Sequence, residues 1–342
     1  MITNKSIVLI GGAGFIGHNL ALTLKKAGAR VTIIDSLHVN SLLSFASSNY
    51  DEANRDLYYR IINKRLDLLR EADIPLNVQD ARDYHALSRL LTEINPEVII
   101  HLAAVAHANK SNKDPYSTFD HSSRTLENML DNARNKQLNV KRFIYFSSSM
   151  VYGNFKGGIV TEETVCEPLG IYGALKYGGE KLVIAYKQVF DVPYTIVRPS
   201  ALYGQRCVSR RVCQIFIENA LKGVPLKISG DGSDRLDFTY IEDLSNGIVK
   251  ILENESSKNQ VFNITYGESR SIKDMIEIIE EHFPGIEVQY LPKDKLMPER
   301  GTLCVDKAKK LIGYAPQYPL EKGFVDYIKW YKSMYDNNKN FS

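Results

Sequence analysis

Residues 10–17 read Ile10-Gly11-Gly12-Ala13-Gly14-Phe15-Ile16-Gly17, and this stretch decides the fold. A short apolar run of strand type precedes it, and residues with helical spacing follow it as far as about Ala27. Glycines at the spacing G-x-x-G-x-x-G allow a tight turn, a close approach of the backbone to a phosphate and close packing of helix on sheet. The stretch therefore predicts a strand, turn and helix that bind a dinucleotide.

The contacts predicted for the dinucleotide come from this turn and from the next strand. The turn contributes Gly11, Gly14, Phe15, Ile16 and Gly17, because the start of a helix presents unpaired N–H groups to phosphates. A second apolar strand ends in Asp35, whose carboxylate suits the hydroxyls of the adenosine ribose and repels a 2′-phosphate. NAD is therefore favoured over NADP. Taken alone, the glycines also fit a turn in a flavodoxin-like fold.

Strand and helix patterns alternate along the first two thirds of the chain, which predicts an α/β fold with a parallel sheet covered by helices on both faces. After about Gly204 the elements become shorter, as in a smaller α+β lobe. We expect residues 1–204 to form the dinucleotide-binding domain, with 237–255 returning to it. Residues 205–236 and 256–335 then form the lobe. The polar tail, 336–342, is expected to be frayed.

Composition excludes several other classes of protein. The 342 residues carry 43 basic and 40 acidic side chains, a net charge of +3 that gives no reason to expect nucleic acid or an anionic membrane as a partner. The sequence has no apolar run of about 18 residues and no signal-peptide pattern. Four cysteines without CxxC pairs or metal-ligand spacing predict free thiols and no metal. We therefore expect a cytoplasmic protein.

A tyrosine and a lysine, Tyr172 and Lys176, lie four residues apart at the start of a predicted helix and so share one face. A neighbouring ammonium favours the phenolate and lowers the pKa of a phenol, which is ordinarily about 10. Such a phenolate can take a proton from a sugar hydroxyl. Serines 147–149 follow a predicted strand, where open α/β sheets bind ligands. The simpler interpretations are a solvated helix face and a serine turn.

Together with HLAA (101–104), SSSMVYG (147–153), RPSALYG (198–204) and GDGSDRLDFTYIEDL (230–244), these motifs resemble those of the extended short-chain dehydrogenase/reductases. Within that superfamily the chain is similar to the NAD-dependent nucleotide-sugar epimerases and dehydratases, and above all to the UDP-glucose and UDP-glucuronate 4-epimerases. The resemblance implies a Rossmann-type doubly wound parallel sheet with a smaller α+β C-terminal substrate-binding lobe. It also implies a homodimer formed through the helices at 116–136 and 172–189.

The resemblance also implies roles for individual residues. Tyr172 is similar to the catalytic base, Lys176 to its electrostatic partner that also holds the nicotinamide ribose, and Ser148 to the catalytic hydroxyl. Asp80 and Ala81 are implied beside the adenine. Residues similar to Ala103 and Ala104 line the cofactor, so all of these positions are expected in the NAD site.

The resemblance also bears on the reaction. Dehydratases of the family carry an Asp and a Glu where this chain has Ser149 and Met150, and decarboxylating relatives carry a glutamate at the latter position. Both reactions are therefore disfavoured. The remaining pattern favours an epimerase that transiently oxidises a sugar hydroxyl, at C4, and returns the hydride to the opposite face. The substrate is expected to be a UDP-sugar or a UDP-uronic acid.

Substrate contacts are less clearly marked. Leu236 stands where the family has an arginine, so other cations are needed for a diphosphate or a carboxylate. The expected substrate contacts are Ser148, Ser149, His107, Arg206, Arg211, Arg235 and Arg300. Several arginines around the sugar favour a uronic acid. The alternatives are solvated surface arginines and, for the histidine, a buried side chain that binds no ligand.

Two other functions remain open at this point. One is a net dehydrogenase or 4-keto reductase that uses the same three catalytic side chains and consumes or releases reduced cofactor. The other is an NAD-sensing scaffold without catalysis. The presence of Tyr172, Lys176 and Ser148 argues against the scaffold, because a sensor needs only the nucleotide pocket.

Overall fold

The computed structural model describes residues 2–38, 41–42, 54–105, 108–292 and 298–336. Its strands, in chain order, are β1 (Ser6–Ile10), β2 (Arg30–Asp35), β3 (Leu76–Val78), β4 (Val98–His101), β5 (Arg142–Phe146), β6 (Ile159–Val160), β7 (Tyr194–Arg198), β8 (Leu202–Tyr203), β9 (Leu226–Ser229), β10 (Arg235–Leu236), β11 (Thr239–Tyr240), β12 (Gln260–Asn263), β13 (Arg270–Ser271), β14 (Val288–Leu291) and β15 (Thr302–Leu303).

Its helices are α1 (Phe15–Lys26), α2 (Arg55–Glu71), α3 (Tyr84–Ile94), α4 (Ala108–Lys113), α5 (Pro115–Phe119), α6 (Thr125–Ala133), α7 (Gly170–Phe190), α8 (Val212–Lys222), α9 (Ile241–Glu253), α10 (Ile272–His282), α11 (Asp306–Ile312) and α12 (Leu320–Asp336). A π turn, Asp120–Arg124, joins α5 to α6. Among the helices within these described ranges, none has both the length and the apolar character needed to cross a membrane.

Seven strands form one parallel sheet in the order β3-β2-β1-β4-β5-β7-β12. The central strands β1, β4, β5 and β7 are buried along their whole length, as expected where helices cover both faces. The strand order reverses between β1 and β4, so the crevice at their carboxyl ends is the expected ligand site. The prediction of a Rossmann-type doubly wound sheet is confirmed.

Two apolar cores lie on opposite faces of this sheet. Along β1, Ile7 and Leu9 contribute to one core, whereas Val8 and Ile10 contribute to the other. This alternation follows from the two-residue repeat of a strand. The first core includes side chains of α1, α2, α9 and α12, and the second includes side chains of α3, α6 and α7. A shift of β1 by one residue would exchange the two sets, so both cores fix its register.

The structure differs from the sequence-based expectation in two places. The helix expected from Tyr116 to Lys136 is interrupted by the π turn and ends at Ala133. The strand Gln260–Asn263 pairs with β7 at the edge of the main sheet, although the predicted division assigned it to the smaller lobe. The division into two domains otherwise stays a prediction. The tail expected to fray lies, beyond Asp336, outside the described residues.

A buried carboxylate, Asp237, holds several loops of the C-terminal region together. It accepts hydrogen bonds from Thr265 Oγ1 at 2.9 Å, from the Gly267 N–H at 3.2 Å and from the Leu303 N–H at 3.0 Å. Burial raises its pKa to about 6, against the opposite effect of these hydrogen bonds. The bond to Leu303 fixes β15 and therefore the chain segment that carries Arg300.

A second buried carboxylate, Glu218 of α8, joins three helices. One of its oxygens accepts hydrogen bonds from Asn54 Nδ2 at 2.7 Å and from Tyr58 Oη at 2.8 Å, on and just before α2. The other oxygen accepts hydrogen bonds from Gln214 Nε2 and from Tyr331 Oη of α12, each at 2.8 Å. A single acid thus satisfies four buried donors in distant parts of the chain.

We expect Glu218→Ala to lower the free energy of unfolding by on the order of 3 kcal/mol, because it leaves buried donors without an acceptor. Denaturant unfolding followed by circular dichroism measures this change. The matched control is Glu281→Ala on the exposed face of α10, expected to change stability by less than about 0.5 kcal/mol. Equal losses in the two variants would contradict the role assigned to Glu218.

Candidate active site

The glycine turn follows β1 and lies against the next strand of the sheet. Gly11 has a φ of +78°, and a Cβ atom there would lie 2.8 Å from the main-chain nitrogen of Ala103. A Cβ on Gly17 would lie 2.5 Å from the Cα of Gly12, inside the turn itself. These positions admit no side chain, so the turn places bare backbone at the crevice between β1 and β4.

The start of α1 has the properties of an anion site. Gly14 caps the helix without a side-chain hydrogen bond, and the first turn contains no acidic residue. Among the described residues, no side chain accepts a hydrogen bond from the N–H groups of the first turn. A Cβ on Gly14 would meet only the Gly11 carbonyl oxygen, at an ordinary 3.5 Å. Packing alone does not require glycine here, whereas a phosphate close to this backbone does.

Asp35 ends β2 beside this turn. Its carboxylate accepts hydrogen bonds from the Ala13 N–H at 2.9 Å and from the Leu37 N–H at 2.8 Å. Burial is the largest effect on its pKa and raises it, while the two hydrogen bonds act in the opposite direction. The carboxylate keeps further acceptor positions for ribose hydroxyls.

A cavity extends from the glycine turn across the carboxyl ends of β1, β2 and β4. It brings together the following residues predicted for the dinucleotide: Gly11, Gly14, Phe15, Ile16, Gly17, Asp35, Asp80, Ala81, Ala103 and Ala104. A phosphate site, a ribose acceptor and an apolar floor thus occur in the order that a dinucleotide needs, and the residues present fit NAD.

Sequence reasoning missed two histidines at this cavity, His38 and His121. Their rings stack with centroids 5.5 Å apart, and both line the cavity. His121 lies in the π turn, and its Nδ1 is 2.8 Å from the Ser117 carbonyl oxygen, which can only accept a hydrogen bond. Its Nε2 is buried without a partner within the described part of the chain. Neither histidine lies in one of the motifs quoted above.

The predicted base and hydroxyl, Tyr172 and Ser148, lie together. Ser148 is close enough to Tyr172 to lower the pKa of the phenol, and its Oγ accepts a hydrogen bond from the Met150 N–H at 3.2 Å. Gly173 makes this approach possible, because a Cβ there would lie 2.8 Å from the Met150 carbonyl oxygen. Helix α7 therefore lies close against the serine segment after β5.

Lys176 lies one turn further along α7 and is buried. Its Nζ donates a hydrogen bond to the Phe146 carbonyl oxygen at 2.7 Å. Burial lowers the pKa of this ammonium to about 8, although the nearby Glu180 acts to raise it. The ammonium therefore lies at the carboxyl end of β5 in contact with the main chain.

The charges around Tyr172 differ from the sequence-based expectation that Lys176 lowers its pKa. Burial is the largest effect and raises the pKa of the phenol above its ordinary value. The Arg211 guanidinium, the hydrogen bond from Ser148 and the Arg300 guanidinium act in the opposite direction. Two arginines from the C-terminal half thus supply the positive charge that the sequence pattern suggested for the lysine.

Arg300 and Arg211 are the predicted substrate arginines that reach this region. Arg300 contacts Ser149 Oγ and places Nη1 2.7 Å from Met150 Sδ. Burial lowers the pKa of Arg300 to about 10. Arg211 lines the dinucleotide cavity. In both arginines the Nε atom is buried and lacks a partner among the described residues.

The other predicted substrate contacts lie elsewhere. Arg206 donates hydrogen bonds to His18 and Asn19 of α1, on the cofactor side. Arg235 donates to the Ser269 hydroxyl at 3.1 Å and to its carbonyl oxygen at 2.5 Å. Neither arginine has a part in the substrate site proposed below. His107 lies outside the described residues.

A buried ion pair that sequence reasoning missed fixes the position of α7. Glu180 of α7 accepts two hydrogen bonds from Arg198 of β7, at 2.9 and 2.7 Å, and one from Ser147 Oγ at 2.5 Å. The available signal was spacing, since Tyr172, Lys176 and Glu180 recur every four residues on one helix face. The pair binds α7 to the strand ends where Ser147 begins the serine segment.

Comparisons with known proteins agree with this geometry. A model of the NAD dependent epimerase/dehydratase family matches residues 7–265. The chain belongs to this family. A Bacillus subtilis (strain 168) relative, an uncharacterized UDP-glucose epimerase, is 32% identical over 335 residues, which cover 96% of this chain and 98% of the relative. The UDP-glucuronate 4-epimerase of Thermodesulfobacterium geofontis is 27% identical over 327 residues, 95% of each chain.

Solved structures of family members are similar over nearly the whole chain. The UDP-glucuronic acid 4-epimerase of Bacillus cereus, in complex with UDP-glucuronic acid and NAD, has a TM-score of 0.83 and 27% identity. The UDP-glucose 4-epimerase of Thermotoga maritima, with UDP-glucose, has a TM-score of 0.82 and 25% identity. Each covers 96% of this chain and 99% of the other. The protein is thus an NAD-dependent sugar-nucleotide epimerase, and its cofactor is NAD.

We expect Asp35→Asn to weaken NAD binding by about tenfold and to narrow the preference for NAD over NADP, because the charge that holds the ribose and repels a 2′-phosphate is lost. Calorimetric titration with both nucleotides measures the ratio. Asp73→Asn, at a fully exposed side chain, is the control and leaves the ratio unchanged. An unchanged ratio in Asp35→Asn would disprove this account of cofactor choice.

Proposed function

We propose that this epimerase inverts C4 of a UDP-sugar or UDP-uronic acid by transient oxidation, with Tyr172 as the base. The observation that carries the proposal is that Tyr172 lies close enough to Ser148, to Arg300 and to Arg211, which lines the dinucleotide cavity, for all three to lower its pKa. NAD, when bound, accepts a hydride from the sugar carbon and returns it. The chain itself must bind the nucleotide sugar, move one proton and keep the oxidised sugar in place while it turns.

Two side chains, Tyr172 and Ser148, take part in the proton transfer. Tyr172 Oη, as the phenolate, takes the proton of the C4 hydroxyl as the C4–H bond is broken, and gives a proton back when the hydride returns. Ser148 Oγ donates a hydrogen bond to the same oxygen and holds the carbonyl group formed there. Positive charge from Arg211 and Arg300, and from the nicotinamide, favours the phenolate against the effect of burial.

The surroundings of Met150 support an epimerase over a dehydratase. Elimination of water needs a proton donor and a base beside the sugar, and positions 149 and 150 supply a hydroxyl and a thioether instead of carboxyls. Arg300 contacts both side chains, so the space is occupied by a cation. The absence of carboxyls at positions 149 and 150 therefore favours hydride transfer over the elimination of water.

A uronic acid is favoured among the substrates by the same two arginines. Their Nε atoms are buried and lack partners within the described part of the chain, and guanidinium groups bind carboxylates through paired hydrogen bonds. Two related proteins, from Thermodesulfobacterium geofontis and Bacillus cereus, are UDP-glucuronate 4-epimerases. A diphosphate would use the same groups, so the choice of sugar is decided by experiment.

Two further parts of the proposal concern assembly and location. Large apolar side chains are exposed on the helices that family members use for pairing, among them Tyr116 (87% exposed), Val189 (70%) and Phe119 (58%). Such a surface supports a homodimer formed through α5 to α7. Free thiols at all four cysteines fit a reducing compartment, which supports the cytoplasm.

The decisive experiment incubates the protein with a panel of UDP-, dTDP-, CDP- and GDP-sugars without added reductant and follows stereochemistry by NMR. We expect Tyr172→Phe to lower turnover by about a hundredfold to ten-thousandfold while nucleotide-sugar binding persists, because the proton acceptor is lost. Tyr186→Phe, further along α7, is the control and keeps full turnover.

Each competing function gives a different result in that experiment. A net dehydrogenase or 4-keto reductase accumulates reduced or oxidised cofactor in proportion to product, whereas an epimerase does not. A sensing scaffold turns over no sugar at all. Full activity of Tyr172→Phe would remove the proposed mechanism.

We expect Arg300→Met to raise the KM for UDP-glucuronate by about tenfold more than the KM for UDP-glucose, because only the uronate loses an ion pair. Steady-state kinetics with both substrates measure the difference. Arg235→Met, whose guanidinium lies on Ser269, is the matched control. Equal increases for both substrates would assign Arg300 to the diphosphate instead.

A further inference from the structure

Two cations, Arg206 and Arg65, lie at the start of α1 among residues that do not line the cavity. Arg206, after β8, donates from Nε to His18 Nε2 at 2.9 Å and from Nη2 to Asn19 Oδ1 at 2.5 Å. Arg65 of α2 is 1% exposed and donates to the Arg206 carbonyl oxygen, from Nε at 3.0 Å and from Nη2 at 2.5 Å. Arg65 thus holds the main chain of Arg206, whose guanidinium reaches the first turn of α1.

His18 connects these cations to the turn. It is fully buried, and its Nδ1 lies 2.8 Å from the Gly14 carbonyl oxygen. A carbonyl oxygen only accepts hydrogen bonds, and Arg206 Nε only donates them. The imidazole is therefore neutral, with its hydrogen on Nδ1 and its lone pair on Nε2. Burial, followed by the charges of Arg65 and Arg206, holds the pKa of His18 well below its usual range.

These bonds fix one peptide group of the turn. The Gly14 carbonyl oxygen accepts from His18 Nδ1 and also from the His18 N–H at 3.1 Å. Asn19 adds a bond from Nδ2 to the Phe15 carbonyl oxygen at 2.9 Å. Because the carbonyls of residues 14 and 15 are held toward the protein, the N–H groups of the first turn stay directed at the cavity.

In the described part of the chain this group has no directly paired acid, although Glu242 acts on Arg206 from a greater distance. Among residues 2–38, 41–42, 54–105, 108–292 and 298–336, no carboxylate forms an ion pair with Arg65 or Arg206. Asp35 is close enough to favour the charged form of Arg65, but it is not within ion-pair distance. Buried cations without a paired acid are costly, and the anion that NAD brings to the turn is its diphosphate.

We propose that Arg206, acting through His18 and supported by Arg65, is a positioning residue for the NAD diphosphate. Its hydrogen bond holds the Gly14 peptide in the orientation that presents the first N–H groups of α1, and its charge adds to the positive potential there. Chains of hydrogen bonds from a cation through an imidazole to a carbonyl polarise one another, which strengthens the arrangement. Arg206 therefore acts on the binding of the cofactor, whereas the sequence led us to expect a contact with the sugar substrate.

The test compares ligands with and without phosphate on protein freed of bound nucleotide. Calorimetric titration with NAD, ADP and adenosine is carried out on the wild type, Arg206→Met, Arg206→Lys and Arg210→Met. We expect Arg206→Met to weaken NAD and ADP binding by about tenfold, with adenosine affected by less than about twofold. Arg206→Lys keeps a charge but not the forked geometry, and we expect it to recover part of the loss.

The controls separate this role from general damage. Arg210→Met removes a charge from an exposed position in the same loop and leaves all three affinities unchanged. If Arg206→Met does not fold, Arg206→Lys alone carries the test, with ADP weakened severalfold and adenosine unchanged. Equal weakening of ADP and adenosine would show a merely structural role, and unchanged ADP binding would show none. Either result overturns the proposal.

Discussion

The close contact between Gly11 and the main chain of Ala103 is the constraint on which the site depends. It brings the turn after β1 against the end of β4, where the strand order of the sheet reverses. The Gly11 N–H continues the ladder by donating to the Ile34 carbonyl oxygen at 2.8 Å, so the turn is also tied to β2. Any side chain at Gly11 would separate these strand ends and displace the start of α1.

Most of the fold follows from local patterns that a single sequence displays. Buried parallel strands read as short apolar runs, and the glycine spacing marks the first turn, so the alternation of strands and helices and the parallel sheet were predicted. The edge strand Gln260–Asn263 belongs to the main sheet, whereas the predicted division assigned residues 256–335 to the smaller lobe. Its place depends on pairing with β7, more than sixty residues earlier, which its own pattern does not indicate.

The directions of long side chains were much harder to predict. Arg206 lies 188 residues from His18, and Arg300 lies 150 residues from Met150, so no local pattern shows that they meet. Glycine has no side chain and short polar side chains have few rotamers, so their positions follow from the backbone. The residues predicted for the glycine turn accordingly line one cavity. An arginine has many rotamers, and the one that it adopts depends on hydrogen-bond acceptors from distant parts of the sequence.

The loop after β8 carries two arginines that act on different parts of the site, the glycine turn and the phenol of Tyr172. Arg206 at its start directs a guanidinium to the first turn of α1, and Arg211 at its end lines the cavity close enough to Tyr172 to act on its pKa. Arg206 has a φ of +66°, and its carbonyl oxygen accepts hydrogen bonds from Arg65. Both features constrain the loop at the point where it contacts α1. One short segment thus places one cation at the start of α1 and another close to Tyr172. The charge of Arg211 favours the phenolate of Tyr172 against the effect of burial, and the charge of Arg206 lies where we propose that it supports the diphosphate of the cofactor.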